Sequence, residues 1–475
     1  MVRIFGHYIS LRAILFAVFE LAAFIALYNI FKIITLYVAT RSFVPLPGQW
    51  LLTPTFCAIA FLTSSACGMY NKDTFSDIQE LFARLLTVSV LMYFMMAVVI
   101  SLSEILAWPQ ANLKLYYAIT LGACAGYCAV ALLFRLNILS TNFNGTVLER
   151  RVLVLGVDER AAKIANLDGH SRSPYHAVGF LPVGTEAKDP HLDDALIIKN
   201  GALEKPGGLQ AVASEHNVDE IVVASRERRG LDLDALLTCK LSGVAVTDFP
   251  TFWERQTGQI DLYEVAPSWL IFSNGFKVNF QRDFTKRCFD IFVSTALLLI
   301  TLPITLVTAI LVKFDSPGPI FYRQIRVGLD GKPYSIFKFR SMRSDAERDG
   351  VARWAQTNDS RVTKVGAFIR KTRIDEIPQV INILMGEMSF VGPRPERPEF
   401  VEELKKKIPY YDVRHHVKPG LTGWAQINYP YGASDEDAKA KLAFDLYYVK
   451  NWNLFLDAVI LFQTARVVIW REGAR

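Results

Sequence analysis

Residues 291–312 read IFVSTALLLITLPITLVTAILV, an apolar run interrupted near its middle by Pro303. As a helix rising ~1.5 Å per residue, this run is long enough to cross ~30 Å of hydrocarbon. How it enters the bilayer decides where everything after it lies. If it spans, residues 314–475 face the opposite side of the membrane from residues 141–280. Proline offers another course, because it removes a helix hydrogen bond and clashes with the preceding turn, which bends helices. Lys286, Arg287 and Lys313 flank the run.

The 475-residue chain has room for two to four domains. It is 51% hydrophobic with a positive mean hydropathy, which points to a membrane protein. A formal net charge of +6 suits an anionic substrate or an anionic membrane surface. No basic stripe is interleaved with aromatics, so no nucleic-acid partner is expected. The six cysteines form no Cys-x-x-Cys pair and read as small buried hydrophobes rather than a disulfide frame or a zinc site.

Four more apolar runs precede the fifth: Ala13–Ile34, Trp50–Met69, Leu81–Leu102 and Leu115–Leu136. Each is about long enough to span as a helix, giving a four-helix transmembrane unit over residues 1–140. The first is too long for a cleaved signal peptide and three more follow it. Glu20, within it, is expected to face other helices. Arg3, Arg12, Lys72, Arg84, Arg135, Arg150 and Arg151 gather at one set of ends, against Arg41, Lys114 and the near-end Lys32 on the other. The positive-inside rule therefore puts both ends of this unit in the cytoplasm. A spanning fifth run would then carry residues 314–475 outside, away from any nucleotide-activated substrate.

Residues 141–280 alternate short β-rich runs with helical stretches. Strands read at Arg151–Leu155, Ala177–Leu181, Glu220–Ala224 and Val244–Thr247, a βαβ pattern that predicts a small Rossmann-like parallel sheet. Gly156-Val157-Asp158-Glu159-Arg160-Ala161 lacks the second and third glycines of a dinucleotide fingerprint, which compromises backbone approach to a pyrophosphate. A scaffold or dimerisation role is expected in preference to dinucleotide binding.

The chemistry-bearing stretch lies further on: Arg370-Lys371-Thr372-Arg373-Ile374-Asp375-Glu376-Ile377-Pro378, followed by Gly392-Pro393-Arg394-Pro395-Glu396. Two adjacent carboxylates stand inside a frame of cations. Neighbours at a helix start point about 100° apart, so Asp375 and Glu376 suit different jobs. The cations are expected to hold both carboxylates ionised and to cradle substrate phosphates. An ionised Asp aimed at phosphorus is a nucleophile, and a neighbouring Glu can hold Mg²⁺. Taken alone, the pair also reads as a solvated helix N-terminus with acids in its first turn.

The company it keeps resembles the bacterial sugar transferases, monotopic phosphoglycosyl transferases that load a sugar phosphate onto a polyprenyl phosphate. The matching pieces run in order from Lys286-Arg287-Cys288-Phe289-Asp290 through Asp315-Ser316-Pro317-Gly318-Pro319 and Gln324-Ile325-Arg326-Val327-Gly328 with Lys338-Phe339-Arg340-Ser341-Met342. The Asp-Glu segment with its Gly-Pro-Arg-Pro follows, and then Lys418-Pro419-Gly420-Leu421-Thr422-Gly423-Trp424-Ala425-Gln426. The resemblance covers roughly residues 281–475. Four spans and a Rossmann-like domain ahead of it resemble the long form of these enzymes, in which the front half is regarded as dispensable to the chemistry.

The resemblance implies a membrane protein of mixed α and α/β class. Residues 1–140 form the four-helix unit, residues 141–280 the cytoplasmic sheet domain, and residues 281–475 a mainly α catalytic domain. Residues 286–313 are implied to be a re-entrant helix broken at Pro303. The family usually has Ser before this proline and this chain has Leu302, which leaves Thr301 or Thr305 to satisfy a freed carbonyl. Implied substrates are a UDP-sugar and undecaprenyl phosphate, with release of UMP through a covalent intermediate on Asp375. Glu376 would hold Mg²⁺, and Arg370, Arg394, Lys338 and Arg340 would contact phosphate; Gln324 and Arg326 serve the fold or the substrate. Asp445 matches an acid of uncertain role, and the Trp452–Trp470 tail either lies in the membrane interface or packs as an amphipathic helix. His415-His416 is not expected to bind metal. A homodimer in the bacterial inner membrane is expected, with its catalytic part facing the cytoplasm and membrane lipids around it. It would act in the first membrane step of exopolysaccharide or O-antigen-like assembly. Two alternatives are a membrane-tethered nucleotide-sugar dehydratase, which needs a glycine fingerprint and a Tyr-x-x-x-Lys pair not found suitably placed here, and an inactive scaffold of an export complex.

Overall fold

The computed structural model describes residues 2–4, 7–9, 11–41, 49–67, 69, 78–105, 113–140, 150–168, 175–184, 187–198, 208–226, 230–264, 273, 275–276, 280–343, 361–430, 432 and 434–470. The chain divides into two compact units, chiefly Tyr8–Phe252 and Trp253–Arg475. The second begins earlier than the compositional boundary at 280. Within it, the Trp424 indole donates to Gly258 O at 2.7 Å and Ile260 N donates to Ala443 O at 3.0 Å.

The first unit opens with helices α1 (Leu11–Thr40), α2 (Gln49–Ala66), α3 (Ile78–Ile105) and α4 (Leu113–Ser140). Ala17–Ala39, Leu81–Leu102 and Lys114–Leu133 are long and apolar enough to cross a membrane, whereas the apolar part of α2, Leu51–Ala66, is shorter. Phe24 and Tyr28 of α1 pack on Tyr127 of α4 and Phe56 of α2, with ring centroids 4.7 and 4.8 Å apart. Gly122 lets α4 close on α1, since a Cβ there would lie 2.4 Å from the Phe31 ring. Glu20 is buried among the helices and accepts the Tyr127 hydroxyl at 3.2 Å. Val18, Val38, Phe94 and Leu133 point outward, as lipid-facing side chains do.

The same unit holds four parallel strands, β1 (Arg150–Leu155), β2 (Tyr175–Leu181), β3 (Glu220–Val223) and β4 (Ala245–Asp248), in the order β2-β1-β3-β4. Central β1 is buried from Val152 to Leu155, as its continuous apolar run requires of a strand covered on both faces. Helices α5 (Glu159–Asp168), α6 (Gly208–Glu215) and α7 (Leu233–Leu241) connect the strands. Gly156 has φ +130° and a Cβ there would stand 2.8 Å from Ser225 N, so the turn after β1 demands glycine. At the start of α5 the Asp158 carboxylate accepts the N–H groups of Arg160 and Ala161 at 3.0 and 3.3 Å. A carboxylate thus takes helix donors that a dinucleotide phosphate uses in fingerprint sites.

The second unit is built on α8 (Phe280–Asp315), a 36-residue helix that continues through Pro303 and is apolar enough to enter a membrane. Its middle is exposed, with Phe292, Leu299 and Ile300 at 74%, 66% and 75%. The Thr301 hydroxyl donates to Leu297 O at 2.7 Å and Thr305 to Thr301 O at 2.9 Å. Neither hydroxyl serves Leu299, the residue whose carbonyl a proline at 303 leaves without its helical donor. The first turns of α8 are bolted down by charge. Lys286 Nζ donates to Asp457 Oδ2 at 2.7 Å and to Val391 O at 3.0 Å, while Asp290 accepts Ser389 Oγ and Phe390 N, both at 3.0 Å. Asp457 is wholly buried on α14 (Leu454–Trp470), where the Tyr448 hydroxyl lies 2.8 Å away. The described part of the tail helix is therefore packed into this unit.

Breaking a buried ion pair strands the remaining charge. Lys286→Met is expected to cost about 3 kcal/mol and to lower the melting temperature of the detergent-held protein. The double variant Lys286→Met/Asp457→Leu should recover a measurable part of that loss. An unchanged melting temperature in the single variant would refute this role.

Candidate functional site

Beyond α8 an antiparallel hairpin forms from β5 (Phe321–Val327) and β6 (Pro333–Phe339), with Tyr322 opposite Lys338. Helix α9 (Lys364–Lys371) is capped by Thr363 Oγ1, which accepts Gly366 N at 2.9 Å. It ends at Thr372, and Arg373 then takes a left-handed conformation at φ +60°. For a residue with a Cβ this costs on the order of 1 kcal/mol. That reversal starts a short 3₁₀ turn, Ile374–Glu376, which leads into α10 (Gln379–Met385). Asp375 and Glu376 thus sit on a turn between two helices rather than in the first turn of one.

Asn382 fastens α10 to the hairpin. Its amide donates to Ser335 O and Glu387 Oε2, both at 2.7 Å, and its carbonyl accepts Phe337 N at 2.9 Å. Lys338, next along β6, reaches Glu376 Oε1 at 2.9 Å. Arg394 comes to the same oxygen from the other side, at 3.0 Å.

The loop carrying Arg394 is shaped by two parallel strands, β7 (Ser389–Val391) and β8 (Gly420–Thr422). Gly392 N donates to Thr422 O and Gly420 N to Pro393 O, each at 2.9 Å. A Cβ on Gly392 would lie 2.3 Å from Lys418 O, and one on Gly420 2.1 Å from Gly392 N. The Gly-Pro-Arg-Pro and Lys-Pro-Gly-Leu-Thr-Gly segments are two halves of one interlocked loop. Arg414 supports it from below, donating to Arg394 O at 2.9 Å while pairing with buried Asp445 at 2.8 Å. Arg326 braces it from β5 through Pro395 O at 3.0 Å and is itself held by Gln324.

The pKa values of the two neighbouring carboxylates are pushed in opposite directions. Burial raises the Glu376 pKa, but Lys338 and Arg394 overcome it and hold the group well below the usual carboxylate range. Asp375 is 8% exposed, and its Oδ1 is buried with no hydrogen-bond partner among the described residues. Burial, reinforced by the charge of Glu376, pushes its pKa up to about 6 against the opposing pull of Lys338, Arg373 and Arg370. The surrounding cations thus hold the Glu376 pKa down but do not offset the burial of Asp375, because Glu376 takes the close contacts of Lys338 and Arg394.

The structure gathers Asp375, Glu376, Lys338 and Arg394, with Arg370 and Arg373 close enough for their charges to act on Asp375. Arg340 does not join them. It is buried and donates to the carbonyls of Val312, Ser316 and Pro317 at 3.1, 2.5 and 3.1 Å, so it closes the C-terminal end of α8. Pro303 lies far along α8 in sequence from the residues that touch this site. His415 faces Asp412 at 3.5 Å and His416 faces Asp330 at 3.9 Å, so the two imidazoles serve different neighbours. The left-handed turn at Arg373 and the contacts of Asn382 and Arg414 escaped the sequence reading, since neither such a turn nor a cross-element amide leaves a local pattern.

A family model described as bacterial sugar transferase matches residues 281–471. The chain is 44% identical over 188 residues to the exopolysaccharide production protein PSS of Rhizobium leguminosarum bv. phaseoli, covering 38% of this chain and 92% of that protein. The chain belongs to the bacterial sugar transferase family. It is also 46% identical over 240 residues, 50% of this chain and 56% of the other, to the UDP-N-acetylgalactosamine-undecaprenyl-phosphate N-acetylgalactosaminephosphotransferase of Aeromonas hydrophila. A third relative is the UDP-glucose:undecaprenyl-phosphate glucose-1-phosphate transferase of Escherichia coli K12, 48% identical over 181 residues, 38% of this chain and 39% of that protein. The chain thus matches 56% and 39% of the length of these two enzymes.

A carboxyl whose folded pKa lies above its ordinary 3.8 binds its proton more tightly in the folded state. The stability it contributes is present below pH ~4 and is lost as pH rises through about 6. Asp375→Asn should therefore stabilise the protein at pH 7.5, by about 2 kcal/mol, with the difference shrinking towards pH 4. Melting curves of both proteins at the two pH values check this, and a destabilised variant at pH 7.5 would contradict it.

Proposed function

We propose that this transferase moves a sugar 1-phosphate from a UDP-sugar to undecaprenyl phosphate through a covalent intermediate on Asp375. The observation that carries the proposal is the buried Asp375 Oδ1, without a hydrogen-bond partner among the described residues, beside an ionised Glu376 paired with Lys338 and Arg394. An acceptor withheld from water and from donors is an unsatisfied group that folding tolerates at reactive centres. The names of the Aeromonas and Escherichia relatives supply the substrate class.

In the first step an Asp375 oxygen attacks the phosphorus bearing the sugar. The bond from that phosphorus to the bridging oxygen breaks, and UMP leaves with the electron pair. In the second step an oxygen of undecaprenyl phosphate attacks the same phosphorus, the acyl-phosphate bond breaks, and the carboxylate is restored. Burial weakens competing hydration of the nucleophile, while Arg394, Lys338 and Arg370 offer positive charge to the diphosphate. The donor set also fits Mg²⁺. Glu376 engages both cations through Oε1, and its carboxylate, together with substrate phosphate oxygens, would hold the ion. When bound, Mg²⁺ would neutralise diphosphate charge and favour UMP departure.

In this proposal the protein sits in the bacterial inner membrane with its catalytic unit on the cytoplasmic side, where UDP-sugars are made, and α8 enters and leaves on that side. The reaction would start an exopolysaccharide or O-antigen-like repeat unit.

Purified protein in nanodiscs with Mg²⁺, undecaprenyl phosphate and a panel of UDP-sugars should release UMP with one preferred sugar. Release should fall as pH drops below about 6, where Asp375 protonates, and should stop on chelation. Asp375→Asn should lower the rate by about 10³-fold or more. Without lipid acceptor, mass spectrometry should find a sugar-phosphate adduct on the peptide holding Asp375. Wild-type turnover by Asp375→Asn would end the covalent mechanism.

A further inference from the structure

The family match begins at residue 281, yet the main span of the unit that holds the acidic turn opens at Trp253. The stretch ahead of the match is fastened by buried charge. Glu254, in the last turn of a short helix Phe249–Thr257, accepts Lys450 Nζ on Oε2 and Asn451 Nδ2 on Oε1, both at 2.6 Å. These two partners end helix α13 (Asp435–Asn451). Glu254 and Lys450 are both buried, so removing either strands the other's charge. Four residues on, Gly258 O accepts the Trp424 indole at 2.7 Å, and Ile260 N donates to Ala443 O of α13 at 3.0 Å. A Cβ on Gly258 would stand 3.0 Å from the indole, so the ring closes directly on the backbone.

Trp424 connects this stretch to the site. It follows Gly423, whose Cβ, if it had one, would lie 2.2 Å from Gly392 O. Gly392 belongs to the loop that carries Arg394. The residue gripped by Gly258 is therefore one peptide bond away from backbone that presses on that loop. On its other side the Trp424 ring stacks on Tyr447 of α13, with centroids 5.7 Å apart. Tyr447 and Lys450 lie three residues apart on α13, a spacing that sets them on one helix face. The same helix supplies Asp445, which pairs with Arg414 and so reaches the Arg394 carbonyl. Both routes from α13 end at Arg394. A group that contacts a reacting diphosphate needs such support, because a shift of ~1 Å can cost about 10²-fold in rate.

We infer that Glu254–Ile260 is a strap that positions Arg394: Glu254 fixes it to the end of α13, and Gly258 holds Trp424 against the interlocked loop. Glu254 and Trp424 are positioning residues, acting through Arg394 rather than on substrate. The consequence for turnover rests on the proposed function, in which Arg394 meets the diphosphate; the hold on the loop does not.

The full chain in nanodiscs tests this with two variants. Glu254→Gln keeps the side chain's shape and removes the charge that answers Lys450. Trp424→Phe keeps an aromatic ring for Tyr447 and removes the indole donor. In both, hydrogen exchange followed by mass spectrometry should show the amides of residues 389–396 exchanging about tenfold faster, with those of β1 in the sheet domain unchanged. The KM for the preferred UDP-sugar should rise about tenfold. Adding Lys450→Met to Glu254→Gln removes the stranded charge and should restore both readings. That double variant and Trp424→Phe carry the test if Glu254→Gln alone fails to fold. A lowered melting temperature with parent KM and parent exchange at 389–396 would make the segment a brace of the fold only and overturn the inference. If no UDP-sugar yields UMP from the parent protein, the proposed function falls, and the exchange of 389–396 alone decides for or against the strap.

Discussion

The oxygen Glu376 Oε1 receives a lysine from a hairpin and an arginine from an interlocked loop. A buried carboxylate is costly unless paired, and here the pairing is doubled. Satisfying it draws three separate parts of the second unit to one point: β6, the turn after Arg373 and the loop after β7. The same arrangement decides the fate of Asp375. Adjacent side chains diverge by about 100°, so cations that close on Glu376 cannot also close on its neighbour. One acid is held permanently charged and the other is left hungry for a partner. Environments that push two carboxylates apart are how a site assigns them different roles.

Converging groups need rigid supports, and these are polar rather than apolar. Asn382 spends its whole amide between β6 and α10, which fixes the distance from Lys338 to the acidic turn. Arg414 and Asp445, both buried, hold the Arg394 carbonyl from behind. The glycines at 392 and 420 allow backbones to touch where any side chain would collide. Asp445, an acid without an evident role in sequence, thus acts through Arg414 on the position of Arg394.

How much of this was legible follows from how locally each feature is encoded. The four strands of the sheet domain matched to within a few residues, because a strand covered on both faces writes a continuous apolar run. The second apolar run looked equivalent to the others, yet its described helix ends at Ala66 and has Pro54 inside it. Asp375, Glu376, Lys338 and Arg394 were found because cations near acids stand out in the motifs. Arg340 stood in the same motif and went to the end of α8, since residue type alone does not say which carbonyls lie within reach. The pull of the cations on Asp375 was overestimated for a related reason. Sequence counts cations, but only the fold shows which carboxylate receives them.

Helix α8 joins the membrane to this chemistry. Lipid tails give an apolar helix no hydrophobic reason to stay put, so its position must be fixed by polar contacts and close packing. Those contacts lie at its two ends. Near the start, Lys286 and Asp290 lock onto β7 and α14, and Arg287 donates to the carbonyls of Ile383 and Leu384. At the far end, Arg340 holds the last carbonyls, and Val312 packs against Phe339 and Ile369. Both anchors adjoin the acidic turn: α10 follows it directly, and Ile374 packs beside the Val312 cluster. The exposed middle of α8 is left to lipid. A helix gripped in this way fixes Asp375 relative to the apolar middle of α8, which the proposed transfer to a lipid phosphate requires.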